Sequence, residues 1–159
     1  MNKNILLLFV AVLIIQICSA NNSYNKLVYL INRSKKIKLF QINEMPTGFE
    51  SQDSAKKYSY GYLVIQEKKL RKTDSKSLKY FLIDSSNFEF QNAKSCPFVG
   101  KYLIEVTTEK GVMGFFISQN SCGKILVKAD FFYEEMLFDL GAHSKLDKII
   151  AQILNNSRY

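Results

Sequence analysis

The apolar positions of this chain follow three patterns: one unbroken run, several alternating segments and one helical stripe. The run is Ile5–Ile15 at the N-terminus. Past it, Leu27–Ile31 and Ile37–Ile42 flank the polar stretch Asn32-Arg33-Ser34-Lys35-Lys36 and predict a β-hairpin, with a helix through Leu27–Ile31 as the alternative. Met45–Lys57 has loop composition. Tyr58–Gln66 (YSYGYLVIQ) reads as one strand by its Tyr, Val and Ile content. Thr73 or Asp74 can cap a helix, after which Leu78, Phe81 and Leu82 fall at i, i+3 and i+4. Asp84–Asn92 is polar, with Phe88 and Phe90 as core candidates. Residues 130–140 fit strand and helix equally. The clearest element is the last: Ser144 as N-cap, Asp147 three residues on, and a stripe of Leu146, Ile149, Ile150, Ile153 and Leu154.

Lys101–Thr108 (KYLIEVTT) and Val112–Gln119 (VMGFFISQ) predict a second hairpin across Glu109-Lys110-Gly111. A three-residue loop ending in Gly pairs Thr108 with Val112. That register puts the even-numbered residues of both strands on one face, Cys96 and Cys122 among them. No repeat, low-complexity tract or linker divides the chain. The expected fold is a single α+β domain: an antiparallel sheet of about four to six strands carrying one or two helices, including the C-terminal amphipathic helix.

The apolar N-terminal run follows Lys3 and ends at Cys18-Ser19-Ala20, which is the layout of a secretory signal peptide. Residues 1–20 are therefore expected to be a leader and residues 21–159 one exported domain. An uncleaved anchor and lipidation at Cys18 are the minority readings; Ile17 stands where a lipoprotein signal favours a small residue. In an oxidising compartment Cys96 and Cys122 are expected to pair. Their bridge would close a 27-residue loop, worth about 3–4 kcal/mol in the chain-entropy account. A nucleophilic or redox role is disfavoured, because there is no C-x-x-C and no obvious neighbour to stabilise a thiolate.

The residues Lys94, Cys96, Pro97, Phe98, Tyr102 and Cys122, set in the order helix, polar link, K-x-C-P-F, strand, turn, strand, Cys, carry a resemblance. Together with the capped terminal helix, they make the stretch from about Leu78 to Leu154 resemble small exported bacterial proteins of uncharacterised function. That group commonly has a Pro between the Phe and the Tyr, where this chain has Val99-Gly100-Lys101. The resemblance implies a fold and a compartment and no activity.

Charge adds a direction. The chain carries +8 at pH 7, and +7 once Lys3 leaves with the leader. Such a balance favours anionic partners and also serves solubility. The basic residues fall in two groups, Arg33, Lys35, Lys36 and Lys38, then Lys68, Lys69, Arg71 and Lys72 followed by Lys76 and Lys79. If the fold joins the groups they make an anion-binding surface. Tyr58, Tyr60 and Tyr62, on one face of the expected strand, would add stacking.

Catalytic chemistry finds little to use. His143 is the only histidine and reads as an exposed loop residue. Asp130, Glu134, Glu135 and Asp139 read as a solvated acidic edge. Zinc, EF-hand, phosphate-loop, G-x-S-x-G and dinucleotide signatures do not occur. The expectation is thus an exported non-enzymatic protein, without metal or cofactor, binding an anionic envelope component or a protein partner rather than nucleic acid. The alternative is a small secreted hydrolase or enzyme inhibitor. An enzyme would join His143 to the acidic segment in a cleft; a binding module would join the basic groups.

Overall fold

The computed structural model describes residues 23–44, 46, 55–89, 95–118, 123–132, 135–141 and 145–156. The expected leader, the 47–54 part of the loop, Phe90, Lys94, Cys122, Glu134, His143 and Ser144 lie outside them.

Residues 23–32 form helix α1. Tyr24, Leu27, Leu30 and Ile31 recur at helical spacing and are all buried, whereas Tyr29 is 50% exposed. That stripe decides between helix and strand, and it corrects the hairpin expected here. Only the second half of that hairpin is a strand, β1 (Lys36–Ile42). Tyr60 and Gly61 both take positive φ, 51° and 83°, as a type I′ turn requires. The strand expected across Tyr58–Gln66 is therefore two, β2 (Tyr58–Ser59) and β3 (Tyr62–Lys68).

Helix α2 (Lys72–Ile83) forms as expected, with Leu78, Phe81 and Leu82 buried. Arg71 is its N-cap residue and Asp74, at the third helical position, accepts from the Arg71 backbone N–H. A 3₁₀ turn at Ser85–Asn87 leads to β4 (Phe88–Glu89). The meander β5 (Gly100–Thr108), β6 (Gly111–Ser118), β7 (Lys124–Ala129) and β8 (Met136–Leu140) follows, then α3 (Leu146–Asn156). Residues 136–140 are thereby strand.

The described residues make an α+β fold of three helices and one antiparallel sheet of eight strands, ordered β2-β3-β1-β5-β6-β7-β8-β4. This exceeds the four to six strands and one or two helices expected. The surplus strands include two-residue pieces, β2 and β4, at the sheet's margins, where no periodicity can announce them. Such short margins also limit the unpaired edge offered to other chains.

The β5–β6 register differs from the expected one. Thr108 faces Gly111, Thr107 faces Val112 and Ile104 faces Phe115. The loop proper is Glu109-Lys110, and Gly111, at φ 134°, opens the returning strand in a conformation L residues seldom adopt. This one-residue slip reverses the face of every β6 side chain. Tyr102, Ile104 and Val106 share their face with Met113, Phe115 and Ile117, not with Gly114 and Phe116. An irregularity between Gly100 and Tyr102 then brings Gly100 opposite Ser118.

The helices cover the first of these faces. The main core joins Leu27, Leu30 and Ile31 of α1, Leu78 and Leu82 of α2 and Ile150 and Ile153 of α3 to Leu39, Ile104, Phe115, Ile125 and Val127 of the sheet. Tyr24 and Phe88 meet with ring centroids 5.4 Å apart. On the opposite face a second cluster holds Phe40, Ile42, Tyr62, Leu103 and Phe116. The β2–β3 hairpin covers it: the Tyr60 hydroxyl donates to the Val112 carbonyl at 3.1 Å and its ring stands edge-on to Phe116. Gly114 makes the room, since a Cβ there would lie 2.9 Å from the Tyr60 ring.

Candidate anion-binding groove

β1 and β3 run antiparallel, with Leu39 opposite Lys68 and Phe40 opposite Glu67. Lys38 is thereby set beside the end of β3, two positions from Lys36 on its own strand. Side chains two apart share a face about 7 Å apart along a strand. Beyond Lys68 the chain crosses to α2 through Lys69, Leu70 and Arg71. The fold thus brings together two basic groups separated by some thirty residues of sequence.

Two adjoining hollows result, both lined by the Lys68–Leu70 link. One, of about 340 Å³, is lined by Lys36, Ile37, Lys38, Glu67, Lys68, Lys69, Leu70 and Ser75. The other, of about 510 Å³, shares Glu67 to Leu70 and adds Gln66, Arg71 and Asn156. Both fall in the size range of small-molecule sites, though neither is enclosed. Lining cations outnumber the one acid in each. Glu67 is itself engaged, 2.9 Å from Lys57 Nζ and 3.5 Å from Lys38 Nζ. The hydrogen bond from Lys57, foremost, holds its carboxyl below the usual glutamate range. Asp74 is held low by Arg71, whose Nε and Nη2 donate to it at 3.1 Å each. Lys68 donates to Gln66 Oε1. Among the described residues neither Lys36 nor Lys69 has an ion-pair partner.

Of the ten basic residues grouped in the sequence, Lys36, Lys38, Lys68, Lys69 and Arg71 line these hollows. The other five do not: Lys76 lies over the Tyr80 ring and Lys79 donates to the Asn32 carbonyl. Arg33 lies over the Tyr29 ring and 3.8 Å from Glu109, toward the β5–β6 turn. The Lys35 backbone N–H donates to Thr107. Lys72 is the first residue of α2. Glu67, Lys57, Ser75 and Asn156 escaped the sequence reading. In sequence Glu67 is only the acid that opens a basic run, and Asn156 shows no signal until α3 is placed.

The tyrosines do not form a stacking platform. Tyr62 is 4% exposed and Tyr60 sits over Gly114. Burial pushes both phenols up. The acidic segment is not a uniform solvated edge either. Asp130 is exposed, Glu135 pairs with Lys128 at 2.6 Å, and Asp139 is 6% exposed with Lys124 Nζ at 4.0 Å. Strand alternation puts Asp139 on the face of Leu137, opposite the core residues Phe138 and Leu140. Cys96 is half-buried in the link before β5. No cluster of metal-ligating side chains occurs among the described residues, and no described helix is long and apolar enough to cross a membrane. Compared with family models, with curated proteins and with solved structures, the chain matches none.

Proposed function

We propose that this is an exported, non-enzymatic binding protein that takes an anionic ligand in the groove between β1 and the β3–α2 link. One observation carries the reading: Lys36 and Lys38 from one basic group, and Lys68 and Lys69 from the other, line a single hollow with one glutamate. Lysine suits such a site as a mobile point charge that attracts anions without demanding a planar, bidentate partner. The compartment rests on the leader pattern in residues 1–20 and on the resemblance to small exported bacterial proteins. The alternative, a secreted hydrolase or inhibitor, gains nothing from the described carboxylates, which are dispersed between an exposed turn, an ion pair and the sheet.

The reading includes a Cys96–Cys122 bridge. The Gly100–Ser118 pairing supports it, since each cysteine lies four positions in sequence beyond one of these two paired residues. Intact mass of exported protein is expected to match residues 21–159 less two hydrogens; a chain starting at Cys18 with added lipid would overturn the leader assignment. The groove is tested by following backbone amide signals while inorganic sulfate or dextran sulfate is added. Shifts are expected to concentrate at residues 36–38 and 67–71. Shifts confined elsewhere, or none with either anion, would remove the binding site.

A further inference from the structure

We infer that the groove holds a linear acidic polysaccharide, with successive anionic groups in the two adjoining hollows that share the Lys68–Leu70 link. This rests on the anion-binding reading and goes beyond it in ligand class. Three observations lead there. The two hollows are adjacent, sharing Glu67, Lys68, Lys69 and Leu70, so that Lys68 and Lys69 serve both. A ligand with one anionic group would use one hollow and leave the cations of the other unneutralised. Each hollow is open along the surface, as an extended chain needs and an enclosed small molecule does not. The lining of both contains Lys, Arg, Glu, Gln, Asn, Ser, Leu and Ile, and no aromatic ring.

The last point selects among polyanions. Single-stranded nucleic acid is held by bases stacked on aromatic side chains in a basic groove. Here the rings that strand alternation could have offered are spent on the fold, Tyr62 and Phe40 in the buried cluster and Tyr60 over Gly114. Charge is left as the chief recognition element. The free energy of such binding comes largely from counterion release, so affinity must fall steeply with salt.

The test titrates the protein with dextran sulfate, glucose 6-sulfate, inorganic sulfate and an oligodeoxythymidylate, by calorimetry at two salt concentrations. Dextran sulfate is expected to bind at least a hundredfold more tightly per chain than glucose 6-sulfate, and tenfold more tightly than the oligonucleotide. Lys36→Ala and Lys69→Ala are each expected to weaken dextran sulfate binding several-fold. Each should also lower the slope of log affinity against log salt by about one. Lys110→Ala, in the β5–β6 turn, should change neither. Equal affinity per sulfate for dextran sulfate and glucose 6-sulfate, at the groove, would overturn the two-hollow assignment while leaving the anion site standing. Tighter binding of the oligonucleotide would overturn the polysaccharide. Failure of every probe to bind would overturn both readings.

Discussion

Two rows of side chains cross this sheet one residue apart and end in different surroundings. Leu39, Ile104, Phe115 and Val127 face one another in register beneath the helices, none more than 3% exposed. Phe40, Leu103, Phe116, Leu126 and Leu137 make the neighbouring row on the other side. Its first three members are fully buried, Leu126 is half-buried and Leu137 is 52% exposed. The strands are the same, so the difference lies in the cover. The three helices share a core with β1 and β4 to β8, whereas the β2–β3 hairpin reaches only β1, β5 and β6. A sheet with both faces partly buried has lost the simple apolar-polar alternation that would announce it.

Phe115 and Phe116 are the sharpest probes of that contrast. Truncating a buried Phe typically costs about 3–5 kcal/mol, depending on how well the site can collapse. Phe115→Ala opens the main core and is expected to fall at the top of that range, lowering the melting temperature of the whole domain. Phe116→Ala is expected at the bottom of the range, because a hairpin can settle inward where three packed helices cannot. It should also expose the Val64 amide, which bonds to Lys57, and the Asn43 amide, which bonds to Leu63, to hydrogen exchange. If both variants raised exchange equally across the domain, the hairpin would not be a separable cover.

Gly114→Ala comes next. The added methyl would meet Tyr60 at 2.9 Å, Phe116 at 3.0 Å and Leu103 at 3.1 Å. Overpacking of this kind costs about 1–3 kcal/mol, and here the Tyr60 ring must give way. A double-mutant cycle with Tyr60→Ala is expected to return a coupling of about 0.5–3 kcal/mol, as groups in contact do. Additive effects would mean that Tyr60 is not seated on Gly114.

The same contrast explains what was legible in the sequence. The helices α2 and α3, which bury one stripe each, were readable from their spacing, and β5 and β6, buried on both faces, from their β-rich composition. Where the period was short, composition misled. Leu27–Ile31 is apolar throughout, and only Tyr24 and the exposure of Tyr29 separate helix from strand. Tyr60 takes a positive φ that its residue type disfavours, and tertiary contacts with Val112 and Phe116 hold it there. Only Gly61 hinted at the turn. The one-residue error in β6 arose because Glu109-Lys110-Gly111 fits either a three-residue loop or a two-residue loop followed by a glycine bulge. The groove was legible as two basic groups, and the β1–β3 pairing that unites them was not, because it required the hairpin.

At the edge of the helical face, Asp74 offers a smaller test. Its carboxylate accepts from the Arg71 backbone and guanidinium, and its pKa in the folded protein is depressed. A depressed folded value contributes stability above the unfolded carboxylate's pKa of about 3.9, and that contribution is lost as pH falls through the folded value. Asp74→Asn is expected to cost about 1 kcal/mol at pH 7, as loss of a cap does, and to flatten the acid limb of a melting-temperature profile below about pH 4. An unchanged acid limb would assign the acid sensitivity to other carboxylates.

The smallest effect belongs to the cationic roof over the second face. Lys57 Nζ sits 4.5 Å from the centroid of Phe40 and 2.9 Å from Glu67, while Lys38 Nζ lies 5.6 Å from the same ring. Lys57 and Glu67 are both about half-exposed, at 53% and 46% of their side chains. Solvent screens such a pair to about 0.2–1 kcal/mol, and a solvated cation over a ring adds about 0.5–1 kcal/mol. Lys57→Met should therefore change stability by less than about 1 kcal/mol, since a thioether can cover Phe40 as the lysine stem does. Its effect on the groove should be larger in proportion. Removing Lys57 frees Glu67 to oppose an incoming anion, so dextran sulfate affinity should fall although Lys57 lines neither hollow. Glu67→Gln should raise that affinity, and the double variant Lys57→Met/Glu67→Gln should restore it to near the starting value. A Lys57→Met variant that binds as the parent does would break the link between the hairpin that covers one face and the groove at its edge.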